Sequence, residues 1–166
     1  LKQTKNNEEN IIKMKKARNI FLILLGFLAL GAIGGGIVLI ISPMGELLGL
    51  PFSEFKNIPF NSYLIPGIVL LSVLGIIPSL LIIALLKKPE SKLAQRINIF
   101  KDMHWSWTYS IYIAFILIGW IHIQLIFLRG VHWLHTFYMF YAILLLIVTL
   151  LPGMRFLYKK KDSMKI

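Results

Sequence analysis

At 166 residues, 57% hydrophobic and 15% charged, the chain has too little polar surface to wet a soluble globule and about the length of one membrane domain. Its lack of cysteine excludes disulfides, thiolate metal sites, acylated cysteines and the thiol chemistry of small four-span quinone-linked oxidoreductases. A formal charge of +11 raises nucleic acid as a partner. The cations flank apolar runs instead of forming a binding face, so membrane lipids with anionic headgroups are the expected partners and nucleic acid is not.

Residues 1–16 are polar and basic, and either extend the first helix into solvent or fray. Four runs then follow, 20–41, 63–86, 107–128 and 131–151, and none contains Asp, Glu, Lys or Arg. About 20 residues at a rise of about 1.5 Å cross a hydrocarbon core of about 30 Å. The expected fold is an all-α integral membrane protein, a four-transmembrane-helix bundle forming one domain over residues 1–166. The first run is too long for the apolar core of a signal peptide, and no small-x-small cleavage site follows it before Pro43, so it reads as a retained span.

That first span is rich in small residues, including Gly26, Gly31, Gly34 and Gly35, and holds the small-xxx-small pairs Gly31/Gly35 and Ala32/Gly36. Lipid offers no hydrophobic force between helices, so close approach through small residues supplies the packing. A seam inside the protomer is expected, with self-association or a groove for a lipid tail as alternatives. The loop at 42–62 combines Pro43, Gly45, Gly49, Pro51 and Pro59 with Leu47, Leu48, Phe52, Phe55 and Phe60. Such a loop is too apolar for water and is expected to form a structured lid or interfacial segment. In the second span Gly75 is a further packing position. Pro78 removes a helical donor to the Leu74 carbonyl, predicting a kink eased by Ser79.

The link at 87–106 is basic and, over 91–100, amphipathic, with Leu93, Ile97 and Phe100 opposite Lys92 and Arg96. Trp105, Trp107, Tyr109 and Tyr112 make an aromatic belt at the start of the third span, as Tyr158 does beyond the fourth, and 152–166 reads as a tail. Sixteen of the eighteen cations precede the first span, lie between the second and third, or follow the fourth; Lys56 and Arg129 are the exceptions. By the positive-inside rule both termini lie in the cytoplasm.

The third and fourth spans form a hairpin about Arg129 and Gly130. Helical rise from that turn puts His122, Gln124 and His135 roughly 8 to 11 Å below the outer surface. They are the candidate ligand-binding cluster, roofed by His132 and walled by Trp120 and Tyr138. Three uses compete. The histidines and glutamine can hydrogen-bond between helices as glue. They can line a pocket for a small molecule or lipid headgroup. They can also hold a metal or haem, with His122, His132 and His135 the ligands if any metal binds. No cofactor is expected and no catalytic residue is assigned. Phosphate-binding loops, G-x-S-x-G and the buried carboxylate on which small four-helix drug exporters depend are all missing from the spans.

Ser42-Pro43-Met44-Gly45, Leu48-Gly49-Leu50-Pro51, Pro59-Phe60 and Tyr63-Leu64-Ile65-Pro66-Gly67, with Gly119-Trp120-Ile121, Gln124, Leu134 and Leu151-Pro152 in the second half, make the chain resemble a family of small, uncharacterised bacterial four-span membrane proteins. The resemblance implies fold and a cell-membrane location, and no activity. The expected role is a non-enzymatic accessory or assembly subunit, or a lipid- or small-molecule-binding protein of the bacterial cytoplasmic membrane. A membrane-embedded enzyme or redox protein using the histidine cluster comes second, and a small oligomeric permease third.

Overall fold

The computed structural model describes residues 2–49, 52, 60–127 and 133–160, with side chains from Glu9 onward except that of Leu48. Among the described residues the regular structure is helical, apart from one isolated antiparallel bridge between Met103 and Lys159. Helix α1 covers Lys2–Ile41, α2 Leu64–Lys87, α3 Lys92–Ile97, α4 Trp105–Phe127, α5 Trp133–Leu150 and α6 Pro152–Tyr158. A short 3₁₀ turn at Glu46–Leu48 follows α1. Helices α1 (from Glu9), α2, α4 and α5 are each long and apolar enough to cross a membrane, as the four apolar runs predict.

What marks these helices as membrane spans is that they are apolar on both faces. On α1, Phe21, Leu25 and Leu28 are buried in the bundle, while Ile23 and Leu30 are 72% and 73% exposed; Ile126 of α4 is 76% exposed. A soluble bundle would place charge at such positions, whereas lipid accepts them. The core is correspondingly built of interior leucines and isoleucines from all four spans, including Leu74, Leu85, Leu117 and Leu145. Helix α1 packs chiefly on α2, and α4 on α5.

The α1/α2 contact follows from glycine. A Cβ added to Gly36 would stand 2.8 Å from Leu71 Cβ and 2.9 Å from the Leu71 backbone nitrogen. One on Gly67 would lie 2.9 Å from Leu39 Cβ, and one on Gly75 2.8 Å from Ile33 Cγ1. These approaches leave no room for a side chain, so the two backbones meet through three glycines contributed by both helices. Of the other sequence-selected positions, Gly35 faces Leu70, Gly26 faces Ile82, Gly31 faces the Tyr138 hydroxyl, and Gly34 faces open space.

Pro78 interrupts α2 in a specific manner. Leu70–Ile76 is a π-helical segment, and the Ile77 amide donates to the Ser72 carbonyl, five residues back. Pro78 follows as the second residue of the α-helical stretch Ile77–Lys87. The wider turn accommodates a residue that has no N–H to offer. Ser72 Oγ donates to the Ile68 carbonyl at 2.7 Å and Ser79 Oγ to the Gly75 carbonyl at 2.9 Å, so both hydroxyls serve the backbone around the segment.

The start of α1, the α2–α4 link and α6 converge on one end of the bundle, which carries most of the described basic residues and is termed the basic end. The opposite, loop end holds the chain between α1 and α2. There Gly45 and Gly49 adopt left-handed φ of 81° and 61°, Tyr63 N–H donates to the Pro43 carbonyl at 2.8 Å, and the Phe52 and Tyr63 rings meet edge to face at 5.0 Å. The expected lid residues at 53–59, and the α4–α5 turn with Arg129 and Gly130, lie outside the described residues.

Candidate functional site

The loop end holds the sequence-selected polar residues. His122 is exposed on α4, with Nδ1 3.1 Å from the Ile118 carbonyl one turn back in the same helix. Gln124 and Trp120 are half-buried on α4. On α5, His135 is buried at 7% exposure, and Tyr138 is half-buried, its ring edge-on to Phe137 at 5.2 Å. The face of α4 read from Thr108 through Tyr112, Phe115 and Gly119 to His122 starts fully buried and ends exposed. On α5, His135, Ala142 and Thr149 are buried, with Tyr138 of the same face half-buried. His122 and His135 therefore occupy different environments, one outward and one inward. His132 lies outside the described residues. Among the described residues no three His, Asp or Glu side chains are grouped to hold a metal ion.

The more elaborate polar construction lies at the basic end and centres on Asn98, which composition alone does not single out. Asn98 is fully buried. Its Nδ2 donates to the Met103 carbonyl at 2.9 Å, and its Oδ1 accepts from Phe100 N–H at 3.1 Å and from the Thr108 hydroxyl. One amide side chain thus closes the turn between α3 and α4 and anchors it to the first turn of α4. Helix α3 itself starts because Ser91 Oγ accepts from Ala94 N–H at 3.2 Å, an N-cap. Its Leu93 and Ile97 are exposed, as are Lys92 and Arg96 on the opposite side.

Around this turn the end of the chain is stitched to the middle. His104 N–H donates to the Tyr158 carbonyl at 2.7 Å and Lys160 N–H to the Asp102 carbonyl at 2.9 Å, framing the Met103–Lys159 bridge. The Tyr158 hydroxyl donates to the Leu85 carbonyl at 2.8 Å. Lys88 ends α2 in the left-handed conformation, φ 48°. Its Nζ donates to the Leu157 carbonyl at 2.6 Å and stands 4.6 Å over the Tyr158 ring. Within the bundle, Trp107 Nε1 donates to the Thr149 carbonyl at 2.9 Å. Residues 152–158, read from the sequence as tail, are thus a packed helix whose Met154 and Tyr158, one turn apart, are buried. Pro152-Gly153 followed by Met154, Leu157 and Tyr158 at helical spacing was the available signal.

The electrostatics of this end are those of crowded cations. Burial holds the Lys88 ammonium below its ordinary value, and the Arg18 charge pushes the same way. Burial also lowers His104; the Pro89 and Lys88 carbonyls oppose this, while the charges of Lys88 and Lys160 reinforce it. Ser106 N–H lies 3.3 Å from His104 Nδ1 and the Ser106 hydroxyl 2.8 Å from it. A neutral ring accepting at Nδ1 carries its proton on Nε2. Tyr158 is pushed up to about 12 by burial, with Arg18 partly opposing.

Beside the stitched base, where α1 passes α6, lies a groove of about 690 Å³ lined by Ile11, Met14, Ala17, Leu151, Pro152, Gly153 and Phe156, with Asn10 and Lys13 supplying its polar side chains. Its floor is set by the approach of the two helices: a Cβ on Gly153 would lie 3.3 Å from Met14 Cα. No family model, no curated protein and no solved structure matches the chain.

Proposed function

We propose that the chain is a multi-pass protein of a bacterial cytoplasmic membrane, of the small four-span kind it resembles, with both termini inside. Its role in this reading is non-enzymatic: an accessory or assembly subunit that holds lipid or a membrane partner. The observation that carries this reading is the contrast at the basic end. Segments around 85–88, 98–108 and 157–160 are hydrogen-bonded into a stiff base, and beside that base an apolar groove stands open. A fixed base next to an uncovered apolar surface suits holding something.

Polar groups within the spans support the same reading, because they serve helix geometry. Ser110 donates to the Ser106 carbonyl, Thr149 to the Leu145 carbonyl and Tyr141 to the Leu24 carbonyl of α1. The positive-inside rule supplies the orientation.

Native co-purification of the full chain followed by mass spectrometry tests the role. A stoichiometric lipid or protein companion and a colourless, metal-free preparation are expected. A coloured or metal-loaded protein that loses its chromophore or metal in His122→Ala and His135→Ala would establish the redox alternative instead. Orientation is tested separately. The chain has no cysteine, so single cysteines placed in the terminal segments report sidedness without background, and labelling of either one by an impermeant maleimide in intact cells would reverse the topology.

A further inference from the structure

We propose that the α1/α6 groove binds one anionic phospholipid of the inner leaflet, its phosphate paired with Lys13 and its glycerol and upper acyl carbons lying along Met14 and Phe156. This deepens the lipid-holding reading above and rests on its orientation.

Depth comes first. Helix α5 ends at Leu150 and α6 starts at Pro152. The next residue, Gly153, abuts Met14, so the groove opens where a span has just left the hydrocarbon. Helix α1 from Glu9 to Ile41 has 33 residues, about 50 Å at helical rise against a core of about 30 Å. Its first turns therefore run on through the headgroup layer.

Chemistry comes second. Phe156 and Ile11 are 59% and 45% exposed, and Met14 lines the same groove. Apolar groups at this depth are covered by the glycerol and first methylenes of a lipid, at about 0.8 kcal/mol per buried CH₂. The volume of about 690 Å³ falls within the range of roughly 300–1,000 Å³ typical of small-ligand sites.

Charge selects among lipids. Among the described residues Lys13 is the ionisable one of the lining, and Glu9, one turn earlier, is the carboxylate nearest to it along α1. Arg18 and Lys88 repel one another at the same end. A zwitterionic headgroup leaves this excess uncompensated, whereas a net anionic one offsets it.

The full chain in neutral detergent, titrated with phosphatidylglycerol or phosphatidylcholine and read by native mass spectrometry, tests the site. Phosphatidylglycerol is expected to be retained at least fivefold in preference. Lys13→Glu should cut that preference at least threefold, while Lys92→Glu, an equal charge change on α3, leaves it unchanged. Phe156→Ala should weaken retention of both lipids, and unfolding curves of each variant confirm that it is folded. A preference that survives both Lys13→Glu and Phe156→Ala overturns this site while leaving the lipid-holding reading standing. No retention of either lipid overturns both. A dimer that Phe156→Ala dissolves would assign the groove to a second copy and overturn the proposal.

Discussion

The Tyr158 hydroxyl reaches the Leu85 carbonyl at 2.8 Å, joining α6 to the last turn of α2 across seventy-three residues, and the Lys88 ammonium caps the same ring. Because Tyr158 is 1% exposed, its ring fills space as well as making the bond. Tyr158→Phe should cost about 1 kcal/mol, the net worth of one hydrogen bond. Tyr158→Ala should cost about 3–5 kcal/mol by leaving a cavity. Denaturant unfolding in detergent measures both, and equal losses for the two variants would show that packing contributes nothing beyond the bond.

His104 makes the protein sensitive to acid. Its imidazole is held below the ordinary value of 6.5 by burial and by the Lys88 and Lys160 charges. The unfolded chain therefore binds the proton first as pH falls. Stability from this group is complete above about pH 6.5 and declines as pH drops toward the lower folded value. Melting temperature should fall between pH 7 and pH 5, with a shallower fall in His104→Gln. An identical slope in the variant would assign the acid sensitivity elsewhere.

The glycines of α1 are not equivalent. Gly36→Ala forces a methyl against Leu71 at 2.8 Å, whereas Gly34→Ala enters open space. The first should destabilise by about 1–3 kcal/mol through overpacking, while the second should be neutral or slightly stabilising through helix propensity. Parallel melting curves decide, and a Gly36→Ala protein as stable as the parent would mean that the α1/α2 approach is looser than these distances.

Asn98 holds three partners at once. Asn98→Leu keeps the bulk but strips Met103, Phe100 and Thr108 of theirs, at a cost of about 1–3 kcal/mol for each group left buried and unpaired. Trypsin should then cut faster at Arg96 and Lys101. Unchanged cleavage at both would indicate that the α3–α4 turn does not depend on this amide.

The four spans were legible because each apolar run is governed by one length, that of the hydrocarbon core. The helix at Lys92–Ile97 was legible for a related reason, its spacing signal being local to one stretch of chain. The π segment before Pro78 was not, since the missing N–H predicts an interruption without prescribing its form. Gly36 and Gly67 fit against each other only once the α1/α2 register is known. Asn98 was missed, and Tyr158 was read as a belt residue although it is buried, because their partners, Thr108 and Leu85, are chosen by tertiary contact. Helical rise from the turn predicts similar depths for His122 and His135, but it says nothing of the angle that turns one outward and the other in.

The stitching of Leu157, Tyr158 and Lys160 to Lys88, Asp102 and His104 fixes a timetable for biogenesis. Spans enter the bilayer in the order in which the ribosome reads them, yet the strap that draws their ends together is translated after all four. A chain released before Pro152 would hold all four spans and still be unlatched, leaving the α3–α4 turn without the Tyr158 and Lys160 contacts that fasten it in the finished protein.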